Sequence, residues 1–366
     1  MTPNRFPFSQ AAPGVCELQP YQPGKPAEEL ERELGISNAI KLASNENPRG
    51  CSPSVITAIR SCSSMGVYPD ANGFTLKSTL AGQLGVDTSQ ITLGNGSNDV
   101  LDLVARVFVR PGDEVIFSEF AFLVYPLVTR AVGGVAVVTQ ARDFKPDLGS
   151  MARAVTGKTK LIFIANPNNP TGAYVSKSDL QNFMEIVPDH IVVVLDEAYF
   201  EYVTADDYPN CIAWCRRYAN LIVTRTFSKA YGLAGLRIGF SIASEEITDL
   251  LNRVRQPFNV NGLALVAATA AIEDPGHVQR SVKENHEQLD RLVSFCQQQG
   301  VGYIPSVANF LTVETGPRTH QINRELLHKG IIVRPLQNYN MPEQLRITTG
   351  RASEMDRLFD GLRSVL

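Results

Sequence analysis

No apolar run in this chain approaches the roughly 18 residues that a membrane-spanning helix needs; the stretch Ile191 to Leu195 is typical. Neither sign of charge dominates. Lys and Arg number 34 against 37 Asp and Glu, a formal net charge of -3. That balance excludes a generic nucleic-acid or polyanion binder, though not the capture of a small anion at one focused site. No Cys-x-x-Cys pair exists among Cys16, Cys51, Cys62, Cys211, Cys215 and Cys296, and no histidine stands at zinc-like spacing from them. No metal site is therefore expected, and the thiols are expected to be reduced and cytoplasmic. Between Met1 and Pro26 there are six prolines and no apolar segment of the kind a secretory signal carries. Repeats with a period of about 20–50 residues are also missing.

What is present is a globular composition. Hydrophobic residues make up 44% and charged residues 19% of 366 residues, enough for a sizeable core and, at roughly 100–200 residues per domain, for two domains. The proline-rich opening predicts an extended arm, followed by a helix over Pro26–Leu34. From Ser44 onward short β-branched runs alternate with helical stretches: Val115–Phe117, Val135–Val138, Leu161–Ala165, Ile191–Leu195, Leu221–Thr224 and Ile238–Ile242. Such alternation predicts a mostly parallel sheet covered on both faces. Near residue 255 the texture changes to helices over Ala264–Ile272 and His277–Gln299, then short strands at Phe310–Val313, Ile331–Val333 and Leu345–Thr348 and a last helix from Ser353. The expected division is an arm and first helix over 1–43, a large α/β domain over 44–255 and a smaller α+β domain over 256–366.

Ligands of an open parallel sheet bind beyond the carboxyl ends of its strands, so the residues after each strand carry the chemistry. Leu161–Ala165 is followed by Asn166-Pro167-Asn168-Asn169-Pro170-Thr171-Gly172. Ile191–Leu195 ends in Asp196-Glu197-Ala198-Tyr199, and Leu221–Thr224 in Arg225-Thr226-Phe227-Ser228-Lys229, with Arg237 shortly after. One edge of the sheet thus receives an amide, a carboxylate with a phenol, and a lysine with hydroxyls. Each piece alone reads equally as a turn, a helix cap or a surface lysine; their joint arrival does not. Upstream, Gly94-Asn95-Gly96-Ser97-Asn98 opens a helix with apolar residues at helical period from Val100 to Phe108. A helix N-terminus of this kind cradles phosphate through free N–H groups and the helix dipole. A dinucleotide fingerprint would need glycine where Asp99 stands, and no Walker-type loop occurs.

These motifs resemble those of the fold-type I pyridoxal-phosphate (PLP) aminotransferases over nearly the whole chain, from Tyr21-Gln22 to Leu345-Arg346-Ile347-Thr348. Within that group the chain is most similar to the histidinol-phosphate aminotransferases, through Leu18-Gln19-Pro20-Tyr21-Gln22, Tyr68-Pro69-Asp70-Ala71-Asn72-Gly73 and Pro257-Phe258-Asn259-Val260-Asn261. The resemblance implies a seven-stranded, mostly parallel sheet, a smaller C-terminal domain and PLP as cofactor. It implies that Lys229 holds PLP as a Schiff base and then shuttles the proton, and that Asp196 pairs with the pyridine nitrogen. Tyr199 and Asn169 would hydrogen-bond the ring oxygen. Gly96, Ser97, Asn98, Thr226, Ser228 and Arg237 would hold the phosphate, joined by Tyr68 from the partner of a homodimer. Phe120 is expected to stack on the ring, with Phe122 as the alternative. Arg346 would take the glutamate α-carboxylate. Arg334 and Tyr21 would take the phosphate of histidinol phosphate or the glutamate side chain, with Asn47 also at the substrate. The five histidines, His190, His277, His286, His320 and His328, match no catalytic position. The implied reaction is transamination between histidinol phosphate and 2-oxoglutarate in histidine biosynthesis. An aromatic amino-acid transaminase and a PLP-dependent decarboxylase of a phosphorylated amino acid are the alternatives on the same scaffold. A non-catalytic regulator on this fold fits least, since Lys229 is present and no helix-turn-helix pattern is.

Overall fold

The computed structural model describes residues 10–20, 24–63 and 65–366. Its centre is a seven-stranded sheet in the order Ile91–Gly94, Gly239–Ile242, Leu221–Thr226, Val192–Asp196, Thr159–Ala165, Glu114–Ser118, Val135–Thr139. Only Gly239–Ile242 runs antiparallel to its neighbours; the other pairings are parallel. The middle strands are buried along their length, which is why they read as continuous apolar runs rather than alternating ones. Helix Ser97–Phe108 covers one face through Val100, Leu101, Leu103 and Val104. Helix Lys177–Ile186, capped by the Ser176 hydroxyl, covers the other through Leu180, Phe183 and Met184.

The second body is a four-stranded antiparallel sheet, Tyr303–Ile304, Phe310–Glu314, Met341–Thr348 and Arg334–Leu336. Helix Ala352–Arg363 and the end of helix Pro275–Gln299 pack on it in one apolar core. That long helix changes character along its length. Near its start it buries His277, Ser281, Asn285 and Gln288, and further on Leu289, Leu292, Phe295 and Cys296. The polar half hydrogen-bonds loops of both bodies: His277 Nε2 meets the Gly50 carbonyl at 3.0 Å, and Asn285 Nδ2 donates to the Ala308 carbonyl.

Packing draws the division differently from the sequence reading. Helix Gly262–Ile272 shares the large-body core with helices Pro53–Arg60 and Phe74–Leu84. Strand Ile40–Lys41 instead pairs in parallel with Ile331–Ile332 of the small body. Among the described residues no helix is long and apolar enough to cross a membrane.

Candidate active site

Strands Thr159–Ala165, Val192–Asp196 and Leu221–Thr226 are adjacent and parallel, so their carboxyl ends open onto one cleft. It encloses about 950 Å³ of empty space, its open mouth included. Lys229, Asp196, Tyr199, Asn169, Thr226, Ser228, Ser97, Asn98, Arg237, Arg334 and Arg346 all line it. The small body closes the opposite side.

Lys229 donates from Nζ to the Ser44 carbonyl at 3.2 Å. Burial of the amine lowers its pKa to about 7, and the Arg346 and Arg237 charges act in the same direction against Glu46 and Asp196. Asp196 is buried and takes a hydrogen bond on each oxygen, from Thr224 Oγ1 to Oδ1 and from the Tyr125 hydroxyl to Oδ2, both at 3.0 Å. Burial raises its pKa, with Glu197 adding to it, while the two hydroxyls and the Ala198 N–H oppose the rise. Behind it, Glu197 accepts from Arg225 Nε and Nη2 at 3.0 and 2.8 Å. This buried ion pair ties the ends of two neighbouring strands together, and its guanidinium lies 3.4 Å from the Phe200 ring centroid. Tyr199 accepts a hydrogen bond from Asn45 Nδ2 at 2.8 Å, which leaves its own proton to donate. Burial pushes its pKa up to about 12, so it remains a donor at neutral pH.

An anion cradle stands at the other end of the cleft. Ser97 and Asn98 begin the helix. Arg237 donates from Nη1 to Ser228 Oγ and to the Ala234 carbonyl, both at 3.1 Å. It holds a left-handed backbone, φ 54°, a conformation that costs a non-glycine residue roughly 1–3 kcal/mol and is retained where function demands it. Gly96 has φ 82°, and a Cβ there would meet Arg237 Nη2 at 2.3 Å. Glycine is therefore required for the guanidinium to reach its place.

Arg334 and Arg346 are directly opposed partners on adjacent antiparallel strands, so both side chains leave the same face of the small sheet. Arg346 is buried. Its Nη1 donates to Asn169 Oδ1 and its Nη2 to the Ala43 carbonyl, whereas Nε has no partner. Asn169 accepts from Arg346 on its carbonyl, and its amide N–H remains as a donor.

Two expectations need correction and one falls outside the described residues. Phe122 lines the cleft, whereas Phe120 does not. With φ 56°, Phe120 packs toward Phe144 and the cluster of Ile304, Leu336 and Met341. Asn47 is not at the cleft either. Its amide donates to the Ala230 carbonyl at 2.8 Å and to Ser281 Oγ at 3.0 Å, fixing the residue after Lys229. Asn45, two residues earlier, is the one at the cleft; which of the two asparagines faces inward was not legible. Tyr21 lies outside the described residues, and Gly24, just after it, lines the cleft. Tyr68 does not line the cleft of its own chain. It is 79% exposed and stacks on Phe258 with centroids 4.5 Å apart. Sequence reasoning missed Asn45, Tyr125, Thr224, Ala198 and Tyr339. Ala198 and Thr224 lay within the strand-end segments, but nothing in the sequence marked their contact with Asp196, which for Thr224 follows from strand pairing.

The family model for aminotransferase class I and II matches residues 37–362. The histidinol-phosphate aminotransferase 1 of Idiomarina loihiensis is 52% identical over 354 residues, 96% of each chain. That of Nitrosococcus oceani is 50% identical over 360 residues, 98% of this chain and 97% of the other. Among solved structures, the histidinol-phosphate aminotransferase of Sinorhizobium meliloti in complex with pyridoxal-5'-phosphate superposes with a TM-score of 0.88 at 29% identity, covering 98% of both chains. An L-threonine-O-3-phosphate decarboxylase of Porphyromonas gingivalis, at 21% identity and a TM-score of 0.78 over 89% of this chain and 98% of the other, shares the fold. With a cleft built on the motif residues and full-length relatives at half identity, this chain belongs to the class I and II aminotransferases, within the histidinol-phosphate aminotransferase family.

Proposed function

We propose that this chain is a PLP-dependent transaminase that moves an amino group reversibly between histidinol phosphate and 2-oxoglutarate, yielding imidazole-acetol phosphate and glutamate. The reading is supported above all by the opposed pair Arg334 and Arg346, which share one cleft with Lys229 and Asp196. Like charges directly across a sheet repel, and an anionic substrate relieves that repulsion. Glutamate has two carboxylates. Histidinol phosphate has no α-carboxylate and presents a phosphate instead. Two guanidiniums on one face serve both in turn.

The residues suit the cofactor. Ser97, Asn98, Thr226, Ser228 and Arg237 are a donor set for a phosphate dianion. Asp196 is a buried carboxylate hydrogen-bonded by two hydroxyls, and a pyridinium N–H would supply the missing opposite charge. Bound there, PLP supplies an electron sink for chemistry at the substrate α-carbon. With PLP bound, Lys229 would be the group that moves the substrate α-proton, and its lowered pKa leaves the amine free to accept it. Asp196 would hold the proton on the pyridine nitrogen, Tyr199 and Asn169 would donate to the ring oxygen, and Phe122 would lie against the ring face. Arg346 would offer its guanidinium to a substrate carboxylate from the wall of the cleft. Small polar substrates and reduced thiols suit a cytoplasmic enzyme.

Substrate choice is tested with two donors on two variants. Arg334→Ala should lower kcat/KM for histidinol phosphate by about ten- to a hundredfold or more, the cost of one charge-assisted contact at roughly 1.5–3 kcal/mol. Phenylalanine should lose much less there and more in Arg346→Ala. If phenylalanine is the better donor on the unaltered protein and Arg334→Ala affects both equally, the enzyme is an aromatic transaminase. Release of carbon dioxide from a phosphorylated amino acid would mark a decarboxylase.

The same proposal includes a homodimer with shared sites. Tyr68 and the exposed Met65, Val67 and Phe74 near it in sequence, each 70% exposed or more, offer apolar area of the kind a partner covers. Mixing Tyr68→Ala with Lys229→Ala subunits should restore about one competent site per heterodimer. Heterodimers without recovered activity would rule out a role for Tyr68 across the interface.

A further inference from the structure

Tyr125 carries no sequence motif, yet it lies at the centre of the site's support. It is 0% exposed, on helix Val124–Ala131. Its ring stacks on Phe163 with centroids 4.7 Å apart and planes 5° from parallel, and Phe122 meets it edge-on at 5.9 Å. A phenylalanine would fill this space as well. The hydroxyl therefore needs its own explanation, because a buried phenol oxygen requires a partner. That partner is Asp196 Oδ2.

The carboxylate depends on this contact. Removing an ionised carboxylate from water is costly unless hydrogen bonds replace the solvent. Asp196 receives one hydroxyl from each side, Thr224 from the neighbouring strand and Tyr125 from the helix. Two donors on different elements fix the rotation of the carboxylate plane, which one alone would leave free. The other ionisable groups that bear on Asp196 are Glu197, Tyr199 and Lys229. None of them donates to either oxygen.

We propose that Tyr125 is a positioning residue of the reaction: its hydroxyl aims Asp196 at the cofactor's ring nitrogen, while its ring buttresses Phe122 against the cofactor's face. The inference rests on the assignment of Asp196 above and extends it. Without the phenol donor, Asp196 would be the stronger base and would hold the shared proton nearer its own oxygen, so the bound cofactor's ring would withdraw less charge.

The test is Tyr125→Phe as holoenzyme, which preserves the ring packing. The pH midpoint of the cofactor's visible absorption band should rise, and kcat should fall about ten- to a hundredfold with the amino-donor KM changed far less. Thr224→Val should move the midpoint the same way, and the double variant further than either. 3-Fluorotyrosine placed at position 125, a stronger donor of the same shape, should move it down, and this arm stands even if Tyr125→Phe does not fold. An unmoved midpoint with kcat within about twofold, or a lower Tm with the midpoint unmoved, would show that the phenol only packs. Asp196→Asn, run alongside, separates the two readings. If it is impaired and Tyr125→Phe is not, only the role of Tyr125 fails; if neither is impaired, the assignment of Asp196 fails as well.

Discussion

Lys229→Ala should abolish amino transfer even with PLP in excess. The substitution removes the covalent anchor and the proton carrier together, and the general acid–base contribution alone is worth about 10²–10⁴-fold. In the unaltered protein, borohydride should fix the cofactor to a single peptide containing Lys229; a labelled peptide without it would refute the assignment. The lowered pKa adds a signature. An ordinary lysine is neutral in only about one molecule in a few thousand at pH 7, whereas burial together with Arg346 and Arg237 brings Lys229 to about 7. Capture of PLP by the cofactor-free protein requires the neutral amine. Its rate should therefore climb about tenfold between pH 6 and 8 and then level, where an unperturbed lysine would keep gaining through pH 9.

Asp196→Asn should keep the fold and lose about 10²–10³ in kcat, the scale of one preorganised charge-stabilising group. The amide no longer favours a protonated ring nitrogen. Stability should move the other way. Burial raises the pKa of Asp196, so the folded state binds this proton more tightly than the unfolded chain. That stabilisation is complete below the ordinary carboxylate range and is lost as pH rises through the raised value. In the cofactor-free protein at neutral pH the substitution removes a buried charge, and Tm should stay level or rise. Were Asp196 merely a turn or cap residue, asparagine would replace it at little cost, so near-normal transamination by this variant would overturn its role.

These groups were legible because the fold puts chemistry at strand ends. Strand, then Asp196 or Lys229, is a linear pattern, and the parallel order of the strands follows from apolar runs separated by helices. The Gly96 turn was legible for a similar reason, since a helix N-terminus announces itself locally, and Arg237 through its place in a family motif shortly after Lys229. Residues acting from a distance were not. Tyr125 contacts Asp196 across 71 positions, Asn45 contacts Tyr199 across 154 and Arg346 contacts Asn169 across 177. No local period or spacing encodes such pairs.

The two corrections share one cause. Phe120 and Phe122 are both aromatic and two residues apart in a loop, outside any strand whose alternation would assign their faces. The left-handed backbone at Phe120 sends its ring to the neighbouring cluster, and Phe122 is left to the cleft. Asn45 and Asn47 pose the same problem. Asn45 is also left-handed, φ 54°, and is held on both its N–H and its Oδ1 by the Thr348 hydroxyl; that partner is contributed by the small body.

The sequence by itself determined the alternating architecture, and its motifs marked Lys229, Asp196, the Gly96 turn, Arg334 and Arg346 as candidates, because each lies in a short contiguous segment. Tertiary structure alone decided which aromatic ring covers the cleft, which asparagine reaches Tyr199, and how the Asp196 carboxylate is held. It also decided that Arg334 and Arg346 face one another, since strand register is set by packing of the small body, and side-chain direction in loops follows from backbone conformations that only long-range contacts select.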